Sequence, residues 1–178
     1  MRPPLDCARV NTVYVAHMDS GPRTSTEGCL CPVQQAAAQT PAAPAIIAPH
    51  RMYSFLEFHE HANGAAENFR KAGMHEGQVV AIALPPGVPY PILFAGLWRL
   101  GAVACPLNTR FPAQYLLDIL KRIRCRDIVV PYGASIITVQ GKLFALAPKD
   151  IVEDRLAGTA HPLSIPADRP AAIVLTSG

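Results

Sequence analysis

The chain closes on Ala171-Ala172-Ile173-Val174-Leu175-Thr176-Ser177-Gly178, an apolar run followed at once by two hydroxyls and a glycine. A tripeptide of this kind after a buried strand can open a phosphate-binding loop. Small residues let the backbone approach an oxyanion, hydroxyls donate to it, and glycine opens the conformations that a nest of N–H groups needs. Thr176, Ser177 and Gly178 are therefore the candidate nucleotide-binding residues, although a plain polar turn would read the same way. His59-Glu60-His61 invites a metal reading. Positions two apart on a helix point about 200° apart, so the two imidazoles cannot meet on one ion, and the pair reads as solvated or on a rim. Cys29-Leu30-Cys31 lacks the two-residue gap of a zinc knuckle and has no matching second pair, so no metal site is expected. Cys105 sits in an apolar run with no basic neighbour to lower its pKa, which reads as a buried thiol and not a nucleophile.

The elements that must position these residues alternate in type. Pro32–Thr40 reads as a short helix, Ala45-Ile46-Ile47 as a strand, and Pro49-His50-Arg51 as a turn. Ser54-Phe55-Leu56-Glu57 is a capping box, which opens a helix carrying Phe55, Phe58, Ala62, Ala65 and Phe69 at helical spacing and ending at Gly73. Val79–Leu84 is apolar throughout and rich in β-branched residues, the pattern of a strand buried on both faces. Pro91–Leu100 reads as a buried helix capped by Gly101. Ala102–Cys105 is a second buried strand, Pro112–Arg124 an amphipathic helix with cations at its end, and Asp127–Val130 a third strand. Ile136–Val139 and Leu143–Leu146 flank Gln140-Gly141-Lys142 and suggest a hairpin. Residues 158–170 read as a loop, and 171–175 as a last strand. Strand–helix–strand–helix–strand over 79–130 predicts an α/β fold, with right-handed crossovers and a parallel sheet flanked by helices on both faces. Residues 1–28 show no sustained period and read as a mobile N-terminal extension.

The 178 residues are half hydrophobic, 16% are charged, and the net charge is +3. That length supports one domain or part of one, and that charge argues against disorder over most of it. Sixteen Lys+Arg against 13 Asp+Glu is too even a balance for an electrostatic nucleic-acid binder. Five cysteines at irregular spacing argue against a secreted disulfide framework. No secretory signal is visible, and the longest apolar stretch, 91–107, carries Arg99 and two glycines and is too short for a membrane helix. These features point to the cytoplasm.

Four blocks in order carry a resemblance. They are Tyr53-Ser54-Phe55-Leu56-Glu57; the stretch 71–82, with Gln78 where an Asp is usual; Gly101-Ala102-Val103-Ala104-Cys105-Pro106-Leu107-Asn108 behind its helix; and Ile173–Gly178. Together they resemble the N-terminal part of the adenylate-forming (AMP-binding) acyl- and aryl-CoA synthetase superfamily, over about 31–178. In that family a carboxylate attacks the α-phosphate of ATP, and a thiol, usually coenzyme A, then displaces AMP. The resemblance implies ATP, Mg²⁺ and coenzyme A as cofactors of a full-length parent enzyme and a small-molecule carboxylic acid as its partner. It makes Thr176, Ser177 and Gly178 the start of the loop that holds the pyrophosphate end of ATP. No catalytic base, acyl-pocket residue or metal ligand is implied at any position present. The remaining blocks read as structural, with Tyr53 and Glu57 setting a helix start, Gly101 and Pro106 fixing turns, and Trp98 packing.

The expectation is thus a truncated N-terminal portion of such a ligase domain over 29–178, inactive alone. The start at Cys31-Pro32-Val33-Gln34-Gln35-Ala36-Ala37 resembles the o-succinylbenzoate–CoA ligases of menaquinone synthesis. The alternative is a non-enzymatic α/β module that binds a nucleotide or a partner protein. A dinucleotide-binding enzyme is disfavoured. No Gly-x-Gly-x-x-Gly follows a strand, and the first crossover turn, Pro85-Pro86-Gly87, lacks N–H groups that a phosphate would want. The apolar strand 171–175 is expected to leave an open sheet edge and poor solubility.

Overall fold

The computed structural model describes residues 31–131 and 170–175, together with the strand backbones at 13–16, 29–30, 143–146 and 164–165. Among these the main sheet has six strands: β1 (Val13–Ala16), β5 (Val79–Ile82), β6 (Val103–Pro106), β7 (Asp127–Pro131), β8 (Leu143–Leu146) and β10 (Ala172–Leu175). Their order is β1-β10-β6-β5-β7-β8. β10, β6, β5, β7 and β8 run parallel, and β1 is antiparallel to β10. The central strand is followed by a neighbour on one side and then, across it, by a neighbour on the other. Right-handed crossovers therefore place the connecting helices on opposite faces.

The alternating side chains of the strands confirm this. Val80, Ile82, Leu84, Ala104 and Val129 pack with Ala65 and Phe69 of α2 (Phe55–Lys71) and with Ile92, Leu93 and Leu97 of α3 (Pro89–Leu100). Ala81, Val103, Cys105, Ile128, Val130 and Ile173 pack on the other face with Leu116, Ile119 and Leu120 of α4 (Ala113–Arg122). A strand buried on both faces is apolar along its length, which is why the runs at 79–84 and 128–130 show no polar alternation.

Helix ends follow local chemistry. At the start of α2 the Glu57 N–H donates to Ser54 Oγ at 3.2 Å, and the Ser54 N–H donates to Glu57 Oε2 at 2.9 Å. The capping box is therefore closed on both sides. α3 ends at Gly101, whose φ of 76° is the left-handed conformation that glycine adopts without steric cost. α2 and α3 cross closely at Gly96, where a Cβ would lie 2.7 Å from Ala65 Cβ. α1 (Pro32–Gln39) packs on α2, and two small sheets complete the described structure: β3 (Pro44–Ala48) with β4 (Arg51–Ser54), and β2 (Cys29–Leu30) with β9 (Ser164–Ile165).

Several expectations are corrected. Arg51 begins a strand and does not end a turn, with Met52 opposite Ile47 and Tyr53 opposite Ile46. Leu143–Leu146 pairs in parallel with β7 as a strand of the main sheet. Ile136–Val139, the other arm of the expected hairpin, lies outside the described residues. Within 158–170, Ser164–Ile165 is paired strand. Within 1–28, Val13–Ala16 forms β1, and it occupies the β10 edge that was expected to be open. His59 and His61 are buried, not solvated.

Candidate functional site

In a parallel sheet with helices on both faces, ligands collect in the crevice outside the carboxyl ends of the strands. Here those ends belong to β5, β6, β7, β8 and β10. A cavity of about 480 Å³ lies there, lined by Leu84, Pro86, Tyr90, Leu107, Asn108, Thr109 and Arg110. Leu84 and Pro86 continue β5, Tyr90 stands in the first turn of α3, and 107–110 continue β6.

The loops are fixed from below. The Leu107 N–H donates to the Ile82 carbonyl at 2.9 Å, and the Ala83 N–H to the Val129 carbonyl at 2.9 Å. Leu84 and Leu107 are buried and anchor the two loops in opposite core layers. Asn108 then turns the chain, its Oδ1 accepting the Arg110 N–H at 3.0 Å and its carbonyl accepting the Phe111 N–H at 3.1 Å. The next turn is held by an edge-to-face contact of Phe111 and Tyr115, with ring centroids 5.0 Å apart. Among the described residues the lining thus offers an apolar floor and an exposed guanidinium, a composition suited to an anion with an apolar body. Burial, and secondly the neighbouring Cys105, push the Tyr90 phenol above its ordinary range, so at neutral pH it remains a hydroxyl able to donate.

The carboxyl end of β10 lies at this edge. It pairs in parallel with β6 at Ala172 and Ala104, and counting along both strands sets Leu175 level with Leu107. Thr176, Ser177 and Gly178 lie outside the described residues, directly after that strand. Among the described residues no group of three or more His, Cys, Asp or Glu side chains could hold a metal ion.

Cys105 and Cys125 are poor nucleophiles. Burial, then Cys125, raises the Cys105 pKa to about 12. Burial raises Cys125 to about 11, and its thiol donates to the Val79 and Asp127 carbonyls at 3.3 and 3.2 Å. Cys31, Cys105 and Cys125 are all free and buried.

Sequence reasoning missed one polar centre. Arg99 is only 5% exposed. Its Nη1 donates to the His59 carbonyl at 2.7 Å and to Asn63 Oδ1 at 2.5 Å. Nη2 reaches His59 Nδ1 at 3.1 Å and Cys31 Sγ at 3.6 Å. One guanidinium fork thereby ties α3 to α2 and to the residue that caps α1. Burial, then the Arg99 charge, holds the His59 imidazole below its usual range, so it stays neutral and accepts. An arginine inside an otherwise apolar helix was the available signal, since a cation there must find acceptors. The cluster is on the α2–α3 face, away from the crevice lining, and acts on packing.

The family described as AMP-binding enzyme matches residues 33–178. The chain is 34% identical over 105 residues to the long-chain-fatty-acid–CoA ligase FadD13 of Mycobacterium tuberculosis, which covers 57% of this chain and 20% of that protein. It is 34% identical over 92 residues to enterobactin synthase component F of Shigella flexneri, covering 52% of this chain and 7% of that one. The chain therefore aligns to a fifth or less of the length of these relatives. The N-terminal subdomain of Klebsiella oxytoca NpsA, solved in complex with 3-hydroxybenzoyl-AMSN, has a TM-score of 0.74 at 21% identity, over 87% of this chain and 40% of that one. A Mycobacterium tuberculosis fatty acyl CoA synthetase has a TM-score of 0.63 at 22% identity, over 82% of this chain and 32% of that one. At those identities the likeness to the solved structures is one of fold.

Proposed function

The chain belongs to the AMP-binding enzyme family, and on that footing we propose that the protein carrying it activates a carboxylic acid with ATP. A carboxylate oxygen bonds to the α-phosphorus as the bond to pyrophosphate breaks. A thiol sulfur then takes the acyl carbon, and AMP leaves. Thr176 and Ser177 would donate their hydroxyls, and Gly178 its N–H, to the departing phosphates, where charge builds in the transition state. Mg²⁺ would neutralise part of that charge. Arg110 supplies a positive charge at the mouth for an anionic portion of a substrate.

The observation that supports the proposal is the parallel placement of β10 beside β6, which brings the carboxyl end of β10 to the same sheet edge as the crevice. The acid and the thiol are finer matters. Complexes of NpsA carry aryl-adenylate analogues, which supports an aromatic acid, whereas FadD13 is named for fatty acids. The relatives include both a CoA ligase and peptide synthetases, so coenzyme A and a carrier-bound thiol are both consistent with the family. The o-succinylbenzoate assignment rests on the 31–37 segment alone.

The test is carboxylate-dependent exchange of pyrophosphate into ATP by the longest protein that contains this chain, across aromatic and aliphatic acids. Exchange is expected, reduced ~100-fold by Ser177→Ala if its hydroxyl serves the developing charge. No exchange with any acid of the panel would overturn the proposal.

A further inference from the structure

The buried Arg99 cluster carries more donors than acceptors. Arginine has donors only, so the 3.1 Å contact of Nη2 with His59 Nδ1 requires a lone pair on that nitrogen. The ring hydrogen of the neutral imidazole is then on Nε2, which lies 3.2 Å from Asn63 Nδ2, another donor. Asn63 Oδ1 is already taken by Arg99 Nη1, and the Arg99 Nε is buried with no partner among the described residues. Both ring nitrogens of His59 therefore face donors, and a second ring proton would stand against the guanidinium. No carboxylate relieves it. Among the described residues the ring is bonded to Arg99 and Asn63 alone. α1 brings no titratable side chain beyond its cap, Cys31, and β3 brings none. β4 brings Arg51, bonded to Glu57, and Tyr53, edge-on to the His61 ring. α3 brings Arg99 and, at its other end in the crevice, Tyr90. On α2 itself the titratable neighbours in sequence are Glu60 and His61.

We propose that this cluster is a proton-sensitive latch on α1, in which protonation of His59 shifts α1 toward detachment from α2 while the sheet and the α2–α3 pair stay folded. The weak element is α1. It has eight residues, too few to be stable alone, makes no side-chain cap bond, and buries only Ala37. Neither described core layer includes one of its side chains. Its cap, Cys31, is fully buried and is tied to the cluster by Sγ, 3.6 Å from Arg99 Nη2. Detachment of α1 admits water, which solvates both cations once His59 is charged. α2 and α3 remain joined by the close crossing at Gly96 and by the packing of Ala65 and Phe69 against Leu93 and Leu97.

The sign follows from linkage. With α1 attached, burial and then the Arg99 charge hold the imidazole below its usual range. With α1 detached it regains the ordinary value near 6.5. The detached state therefore binds the proton more readily, and its weight rises about tenfold from pH 7.5 to 5.5. The experiment is amide hydrogen exchange read by mass spectrometry on the longest protein that contains this chain, corrected for the intrinsic pH dependence of exchange. Protection over 32–39 should fall about tenfold between pH 7.5 and 5.5, while protection in β5 and β6 holds. His59→Gln offers Arg99 an amide oxygen and does not titrate, so its protection over 32–39 should be the same at both pH values. The comparison of pH values in the unaltered protein decides even without that variant. Equal protection of 32–39 at both pH values overturns the proposal, as does an equal loss in His59→Gln. A loss in β5 and β6 as large as that in α1 also overturns it, since that is unfolding of the whole domain.

Discussion

Replacing Gly96 with alanine puts a methyl group into the close crossing of α2 and α3. The new Cβ would lie 2.7 Å from Ala65 Cβ, 3.1 Å from the Ala66 nitrogen and 3.2 Å from the Ala65 carbonyl carbon. Two of the three neighbours are backbone, which cannot swing aside as a side-chain tip would. Overpacking of this kind costs ~1–3 kcal/mol, and a rigid neighbour puts it at the upper end. Alanine in a helix interior returns ~1 kcal/mol relative to glycine. The net expectation is destabilisation of about 2 kcal/mol, or about 4–8 °C in Tm for a domain of this size. Urea denaturation followed by circular dichroism would read it as a lower midpoint at unchanged slope. Gly77 supplies the contrast. Nothing stands within 4 Å of its would-be Cβ, but its φ is 75°, so Gly77→Ala meets only backbone strain, ~1 kcal/mol. A Gly96→Ala chain as stable as the original, or more stable, would refute the close crossing.

Other outcomes follow from the buried polar groups. Arg99→Lys keeps the charge but loses the fork that serves His59, Asn63 and Cys31 together. Stability should fall by ~1.5–3 kcal/mol, and an unchanged urea midpoint would refute the cluster. His59 has a lowered pKa in the folded chain. Above pH 6.5 neither state binds a proton there and stability is full. As pH falls from 6.5 toward the lower folded value, the unfolded chain protonates first and stability is lost. The midpoint of the unaltered chain should therefore drop between pH 7.5 and 5.5 more than that of His59→Gln, and equal drops would refute it. Iodoacetamide at pH 8 should leave Cys105 and Cys125 unlabelled in the native chain, because few thiolates exist at pKa values near 12 and 11. Mass mapping of peptides that found either one alkylated without unfolding would contradict their burial.

The parts of this fold visible in the sequence were those set by local rules. The capping box at Ser54 and Glu57, the glycine stop at 101 and the continuous apolar runs of β5, β6 and β7 each act within one element. What escaped depended on distant partners. β1 pairs with a strand more than 150 residues away, and no local pattern encodes that register. β8 pairs with β7, a partner that no local pattern names, for the same reason. His59 and His61 misled because α2 is packed by α1 as well as by α3. A helix enclosed on two sides buries more than the single apolar stripe that its sequence advertises. At the candidate site, the sequence pointed to Thr176–Gly178, whereas the crevice walls at Tyr90 and 107–110 emerged only once β5 and β6 were side by side.

The crevice separates what holds the protein together from what a ligand would touch. Leu84 and Leu107 belong to the core, while Pro86, Asn108, Thr109 and Arg110 are exposed and contribute little to it. Surface positions of this kind can usually be exchanged within about 0.5 kcal/mol. A lineage could therefore redraw the mouth of this cavity, residue by residue, and try new small molecules at almost no thermodynamic risk to the scaffold beneath.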